Sequence, residues 1–146
     1  MGKILLIEDD GLTTSDLIKE IVETTSQEVK CAYSYSTAIA FWKRYENEIN
    51  CIILDLNINP LGLDADTIDD YFPICGILVL DEICKGKTPA EKERICSKTI
   101  IYSAYLGYLK EMKSKFEFYH CLTLKTKSED GVRKLLDSVA EIVNKY

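Results

Sequence analysis

Four short apolar runs in this chain each lead into a polar side chain capable of chemistry. ILLI (Ile4 to Ile7) is followed by Glu8, Asp9 and Asp10, and CIIL (Cys51 to Leu54) by Asp55. TIIY (Thr99 to Tyr102) is followed by Ser103, and FYHCLTL (Phe118 to Leu124) by Lys125. Carboxylates brought to one place repel each other unless a cation neutralises them, and an all-oxygen ligand set with open positions suits Mg²⁺ rather than zinc. A lysine beside them pairs with a carboxylate when the site is empty and with a phosphoryl oxygen when it is full. Metal and ammonium then take the charge on the equatorial oxygens of a phosphoryl group while Asp55 attacks phosphorus. Ser103 adds a hydroxyl donor, and an aspartyl phosphate is the implied product.

For these residues to meet, the runs before them must be parallel strands ending at one edge. Each run is of strand length, and VKCAY (Val29 to Tyr33) alternates enough for a fifth strand near a sheet edge. Helical periodicity separates them: Leu17, Ile18, Ile21 and Val22 after the first strand, and Ile39, Phe41, Trp42 and Tyr45 after the second. The last helix is the clearest, with Val132, Leu135, Leu136, Val139, Ile142 and Val143 on one face. Ser128 is placed to cap it, with Glu129 and Asp130 in its first turn.

Repeated strand and helix with continuous apolar strands predicts an α/β fold: a doubly wound, five-stranded parallel sheet with about five helices on both faces. Ligands in such folds bind outside the carboxyl ends of the strands, where strand order reverses. Residues 57–73, polar and holding four Asp and two of the three Pro, read as a long loop or irregular insertion. A helix is expected over 74–85 with Gly86 as its stop, and a further helical turn after Pro89.

Composition narrows the function. The chain has 146 residues, 47% hydrophobic, the size of one domain, and a net charge of -6, the wrong sign for direct nucleic-acid binding. Six cysteines without C-x-x-C spacing and a single His argue against zinc, and read as reduced core residues of a cytoplasmic protein. No apolar run reaches membrane-spanning length, and the first seven residues lack a signal-peptide pattern.

The strings KILLIEDD, IILDLNIN, TIIYSAY and LTLK, in this order and each at a strand end, resemble the receiver domain of two-component response regulators (CheY-like, flavodoxin-like) over essentially residues 1–146. The resemblance implies that Asp55 is the phosphoacceptor, Asp9 a direct Mg²⁺ ligand and Glu8 its partner through water. It adds the main-chain carbonyl of Asn57 as a further ligand, and Ser103 and Lys125 as contacts to the phosphoryl group. Ala104 matches the position that leaves access to the aspartate, and Asn57 and Tyr105 positions that tune phosphate lifetime. It also implies phosphorylation by a sensor histidine kinase or phosphotransfer protein, an output through altered contacts with a protein effector, and no catalysis beyond the domain's own phosphorylation and dephosphorylation. In receivers the fourth helix, fifth strand and fifth helix carry dimer or effector contacts, and Tyr102, Tyr105, Tyr108 and Tyr119 gather there.

The chain departs from the family pattern in three places. Thr126 stands where Pro usually follows the lysine, Leu122 stands where many receivers carry a switching aromatic, and Ser103 lies 48 positions after Asp55, a longer interval than usual. A pseudo-receiver that binds partners without a phosphorylation switch is therefore an alternative. A small Mg²⁺-dependent phosphohydrolase fits less well, because DLN carries no second carboxylate two residues after Asp55. A flavodoxin-like cofactor site is disfavoured by the acidic first loop, which repels phosphate. Lys127 rivals Lys125, Asp10 suits the start of the first helix better than a metal, and His120 has no catalytic partner in the sequence.

Overall fold

The computed structural model describes residues 2–127 and 131–145, with Leu12 and Thr13 described in backbone only. The expected Ser128 cap with Glu129 and Asp130 lies outside the described residues.

Five strands form one wholly parallel sheet: β1 (Lys3–Ile7), β2 (Glu28–Ala32), β3 (Ile49–Leu54), β4 (Thr99–Tyr102) and β5 (Thr123–Lys125), in the order β2-β1-β3-β4-β5. Strand order reverses at β1, so the crevice between the carboxyl ends of β1 and β3 is the expected ligand position.

Alternation along each strand sorts side chains onto two faces. Ile4, Leu6, Cys51, Ile53, Ile100 and Tyr102 pack with Ile21 of α1 (Gly11–Thr25) and with Leu135, Val139 and Ile142 of α7 (Gly131–Lys145). Leu5, Ile7, Ile52, Leu54 and Ile101 face the other way, toward α2 (Tyr35–Tyr45), α4 (Ile77–Cys84), α5 (Pro89–Ser97) and α6 (Leu106–Glu111). Both faces are thus covered, which is why β1 and β3 read as unbroken apolar runs.

The second strand begins and ends one residue earlier than its apolar pattern suggested. Larger corrections fall between β3 and β4 and before β5. The polar 57–73 segment contains a helix, α3 (Ala65–Tyr71), started by the Asp64 carboxylate accepting from the Thr67 amide at 2.8 Å. None of its side chains is buried, so no apolar period announced it. After Pro89, α5 runs a full nine residues from a Thr88 cap. Between them α4 is buried nearly all round, exposing Asp81. Among the described residues there are seven α-helices instead of about five.

FYHCLTL is not one strand. Tyr119–Cys121 winds a 3₁₀ turn, which carries His120, and pairing starts only at Thr123. β4 offers just four residues to pair with, while Phe118 is withdrawn into the core against Phe116, ring centroids 5.8 Å apart. The six cysteines are free thiols, and burial pushes Cys51 up to about 12, leaving it inert near neutrality. No helix among the described residues is long and apolar enough to cross a membrane.

Candidate functional site at the strand ends

The ladder fixes the acidic residues. Beyond the last paired residue of β1 the Glu8 amide still donates to the Ala32 carbonyl at 3.0 Å, and beyond β3 the Asp55 amide donates to the Ile7 carbonyl at 2.9 Å. Glu8 and Asp55 therefore leave adjacent strands at the same height. Glu8 is 4% and Asp55 7% exposed, whereas Asp9 lies open at the rim. One carboxylate oxygen from each of the three lies within 4.8 Å of the others.

That spacing only slightly exceeds the roughly 4 Å between opposite oxygens around Mg²⁺, so the cluster is of a size to hold one ion. The donor set is all oxygen, as the hard cation requires. Neutral contacts orient it further: the Asp10 amide donates to Glu8 Oε1 at 3.2 Å, and the Asn57 amide to Asp55 Oδ1 at 3.3 Å.

Close approach of backbone from α4 braces the Asp55 turn. The Gly76 amide donates to the Leu56 carbonyl at 2.7 Å, and a Cβ at Gly76 would collide with the Asp55 carbonyl and lie 2.7 Å from that of Leu56. Only glycine fits there.

The ammonium in the site belongs to Lys127. Its Nζ donates to Asp55 Oδ2 at 2.8 Å and to Glu8 Oε2. The expected residue, Lys125, stands elsewhere, and the register explains it. Lys125 pairs with Tyr102, and paired residues of a parallel sheet share a face. It sits on the α7 side, lining a cavity with Thr126, Gly131 and Lys134, and its carbonyl accepts from the Ser103 amide at 3.1 Å. Two residues further on, the Lys127 ammonium reaches over the strand ends.

Electrostatics follow from burial and proximity. Burial raises Glu8 above the usual carboxylate range, and nearby Asp55 adds to the rise, against the opposing pull of Lys127. Asp9 is raised by partial desolvation and then by the Asp55 charge. Lys127 is desolvated, which disfavours its charge, yet its bonds to Asp55 and Glu8 outweigh this and raise it overall.

Ser103 is wholly buried, and its Oγ accepts from the Tyr105 amide at 3.1 Å, leaving the hydroxyl proton unused by that bond. Ala104 beside it is exposed.

A cavity of about 390 Å³ opens at the opposite, amino-terminal edge of the sheet between Trp42, Ile49, Arg94 and Lys98. There the Lys98 Nζ donates to the Ile49 carbonyl at 2.7 Å and lies 5.7 Å from the Trp42 ring. It serves a strand carbonyl close to the carboxyl end of α5, where cations are favoured, and has no part in the acidic site.

No protein-family model matches the sequence, and no curated protein matches it. Solved structures do. A response regulator receiver domain from Clostridium thermocellum superposes with a TM-score of 0.65 at 21% identity, covering 99% of this chain and 96% of that one. A DNA-binding response regulator of the LuxR family from Staphylococcus aureus gives 0.67 at 18% identity, covering 99% and 100%. The response regulator TrrA from Thermotoga maritima, solved in complex with Mg²⁺ and BeF, gives 0.63 at 22% identity, covering 97% and 99%. Along nearly its whole length, then, the chain has the five-stranded parallel fold of response regulator receiver domains.

Proposed function

We propose that the chain is a phosphorelay receiver that takes a phosphoryl group onto Asp55 from a histidine kinase or phosphotransfer protein. The observation that carries this reading is the convergence of Glu8, Asp9 and Asp55 at the strand-order reversal with one lysine ammonium between two of them. The neighbour solved with Mg²⁺ and BeF supports Mg²⁺ as the ion.

In the reaction, an Asp55 carboxylate oxygen forms a bond to phosphorus as the phosphorus–nitrogen bond of a phosphohistidine breaks, its electron pair leaving with the imidazole. Mg²⁺, when bound, would neutralise charge on the phosphoryl oxygens; Asp9 would hold it directly, Glu8 through water, and the Asn57 carbonyl would supply another oxygen. Lys127, in place of Lys125, moves from the carboxylates to a phosphoryl oxygen, and Ser103 turns its hydroxyl proton to another. The buried Asp55 side chain keeps the nucleophile in one orientation, which is most of what such a transfer asks of a protein.

Phosphorylation adds close to two negative charges beside Lys127 and Ser103 and thereby biases the β4–α6 turn. The output is a changed affinity for a protein effector in the cytoplasm, with catalysis confined to the domain's own phosphate. The α6, β5 and α7 face, where Tyr108 is exposed, is the surface for effector or homodimer contacts. To test the reading, the protein is incubated with Mg²⁺ and a small acyl phosphate and its intact mass followed. One labile phosphoryl adduct that needs Mg²⁺ and is lost in Asp55→Asn is expected. An unmodified wild type, or an adduct that persists in Asp55→Asn, would overturn it.

A further inference from the structure

Lys127 reaches the site from beyond the end of β5, so something other than the ladder must hold it. Its ammonium lies 5.6 Å from the ring centroid of Tyr102, the last residue of β4. Tyr102 is 7% exposed and packed on the α1 and α7 face, so the ring is fixed on the sheet. The first residue of α7 closes against it: a Cβ at Gly131 would lie 3.3 Å from the Tyr102 hydroxyl and 2.6 Å from the Thr126 carbonyl. The ring is thus held between α7 and the Lys127 side chain, with Glu8 and Asp55 as the ammonium's other partners.

We propose that Tyr102 is the positioning residue of Lys127, its ring face holding the ammonium over the strand ends. A cation beside an aromatic face in a partly dry site is attracted by the ring quadrupole. A lysine side chain is also expensive to order, and a rigid aromatic neighbour removes rotamers that would carry the ammonium off to solvent. The contact survives when Lys127 exchanges a carboxylate for a phosphoryl oxygen, because the ring does not use the donor hydrogens needed by either. Tyr102 touches neither metal nor phosphoryl group. Its action is through Lys127, and the kinetic part of its test rests on Asp55 being the phosphoacceptor.

The test uses Tyr102→Phe and Tyr102→Leu with two readouts, the chemical shift of the Lys127 ε-methylene protons and the rate of adduct formation from Mg²⁺ and an acyl phosphate. In the wild type and in Tyr102→Phe the ε protons are shifted upfield by the ring and the rates agree. In Tyr102→Leu the shift is lost and the rate falls about fivefold, the size of one cation–ring contact, with full adduct yield showing an intact fold. Unshifted ε protons in the wild type, or a Tyr102→Leu protein that reacts at the wild-type rate, would overturn the proposal. So would a Tyr102→Phe protein as slow as Tyr102→Leu, since the hydroxyl would then be the active feature. A wild type that takes no phosphoryl group sinks the reading of Asp55 instead, and the ε-proton shift still decides the Tyr102 contact.

Discussion

The acidic and the basic halves of the site are held by different means. Glu8 and Asp55 follow directly from strands of five and six residues that are almost wholly buried, and their amides still belong to the ladder. Lys127 stands two residues past a three-residue strand whose members are only half-buried, and it is held by side-chain contacts to two carboxylates and one ring. Groups that extend a buried ladder inherit its register, whereas a group beyond the ladder takes its position from tertiary contacts.

The contrast is broken most severely at the ladder itself. Asp55→Asn leaves the backbone in place but removes the nucleophile, and a complete loss of phosphoryl adduct by intact mass is expected. Lys127→Met is next. It takes away the ammonium from a developing phosphoryl charge, and adduct formation should slow by about a hundredfold or more. The same variant should bind Mg²⁺ more tightly by calorimetry, since Lys127 and the ion share Glu8 and Asp55.

Gly76→Ala attacks the brace from α4. Its methyl group has no room against the Asp55 and Leu56 carbonyls, and unfolding in urea should show a loss of about 1–3 kcal/mol, as for other overpacked sites. A stability unchanged by that substitution would mean the turn after β3 yields easily.

The smallest effect is expected from Asp9→Asn in the metal-free protein. Burial and Asp55 raise the Asp9 carboxyl above its unfolded value. Such a group favours the folded state below the unfolded pKa, and that contribution disappears as pH rises through the folded pKa, so ionised Asp9 burdens the fold at neutrality. Asp9→Asn should therefore raise the melting midpoint slightly near pH 7, with the gain vanishing on acidification and reversing in saturating Mg²⁺. Melting curves across pH, with and without the ion, check the sign.

The same division marks what the sequence revealed. ILLI and CIIL are buried strands as their length and apolar run suggested, and the acids after them share an edge. FYHCLTL is as apolar as a strand, yet the shortness of β4 and the burial of Phe118 leave only its end to pair. That changes where the chain emerges and puts Lys127, not Lys125, over the site. The 57–73 stretch hid α3 because a helix that buries nothing has no apolar period, and its Asp64 cap is one Asp among four. Tyr102 drew notice in the sequence only as one of four tyrosines near a contact face; it is instead buried on the sheet, and the path of Lys127 above it shows its role.

The most direct measurement is the rate of phosphoryl adduct formation for the wild type, Lys125→Met and Lys127→Met side by side, with Mg²⁺ and an acyl phosphate. Lys125→Met is expected to react at close to the wild-type rate while Lys127→Met is slowed about a hundredfold. A slow Lys125→Met beside a fast Lys127→Met would contradict this expectation and place the working ammonium on the ladder after all.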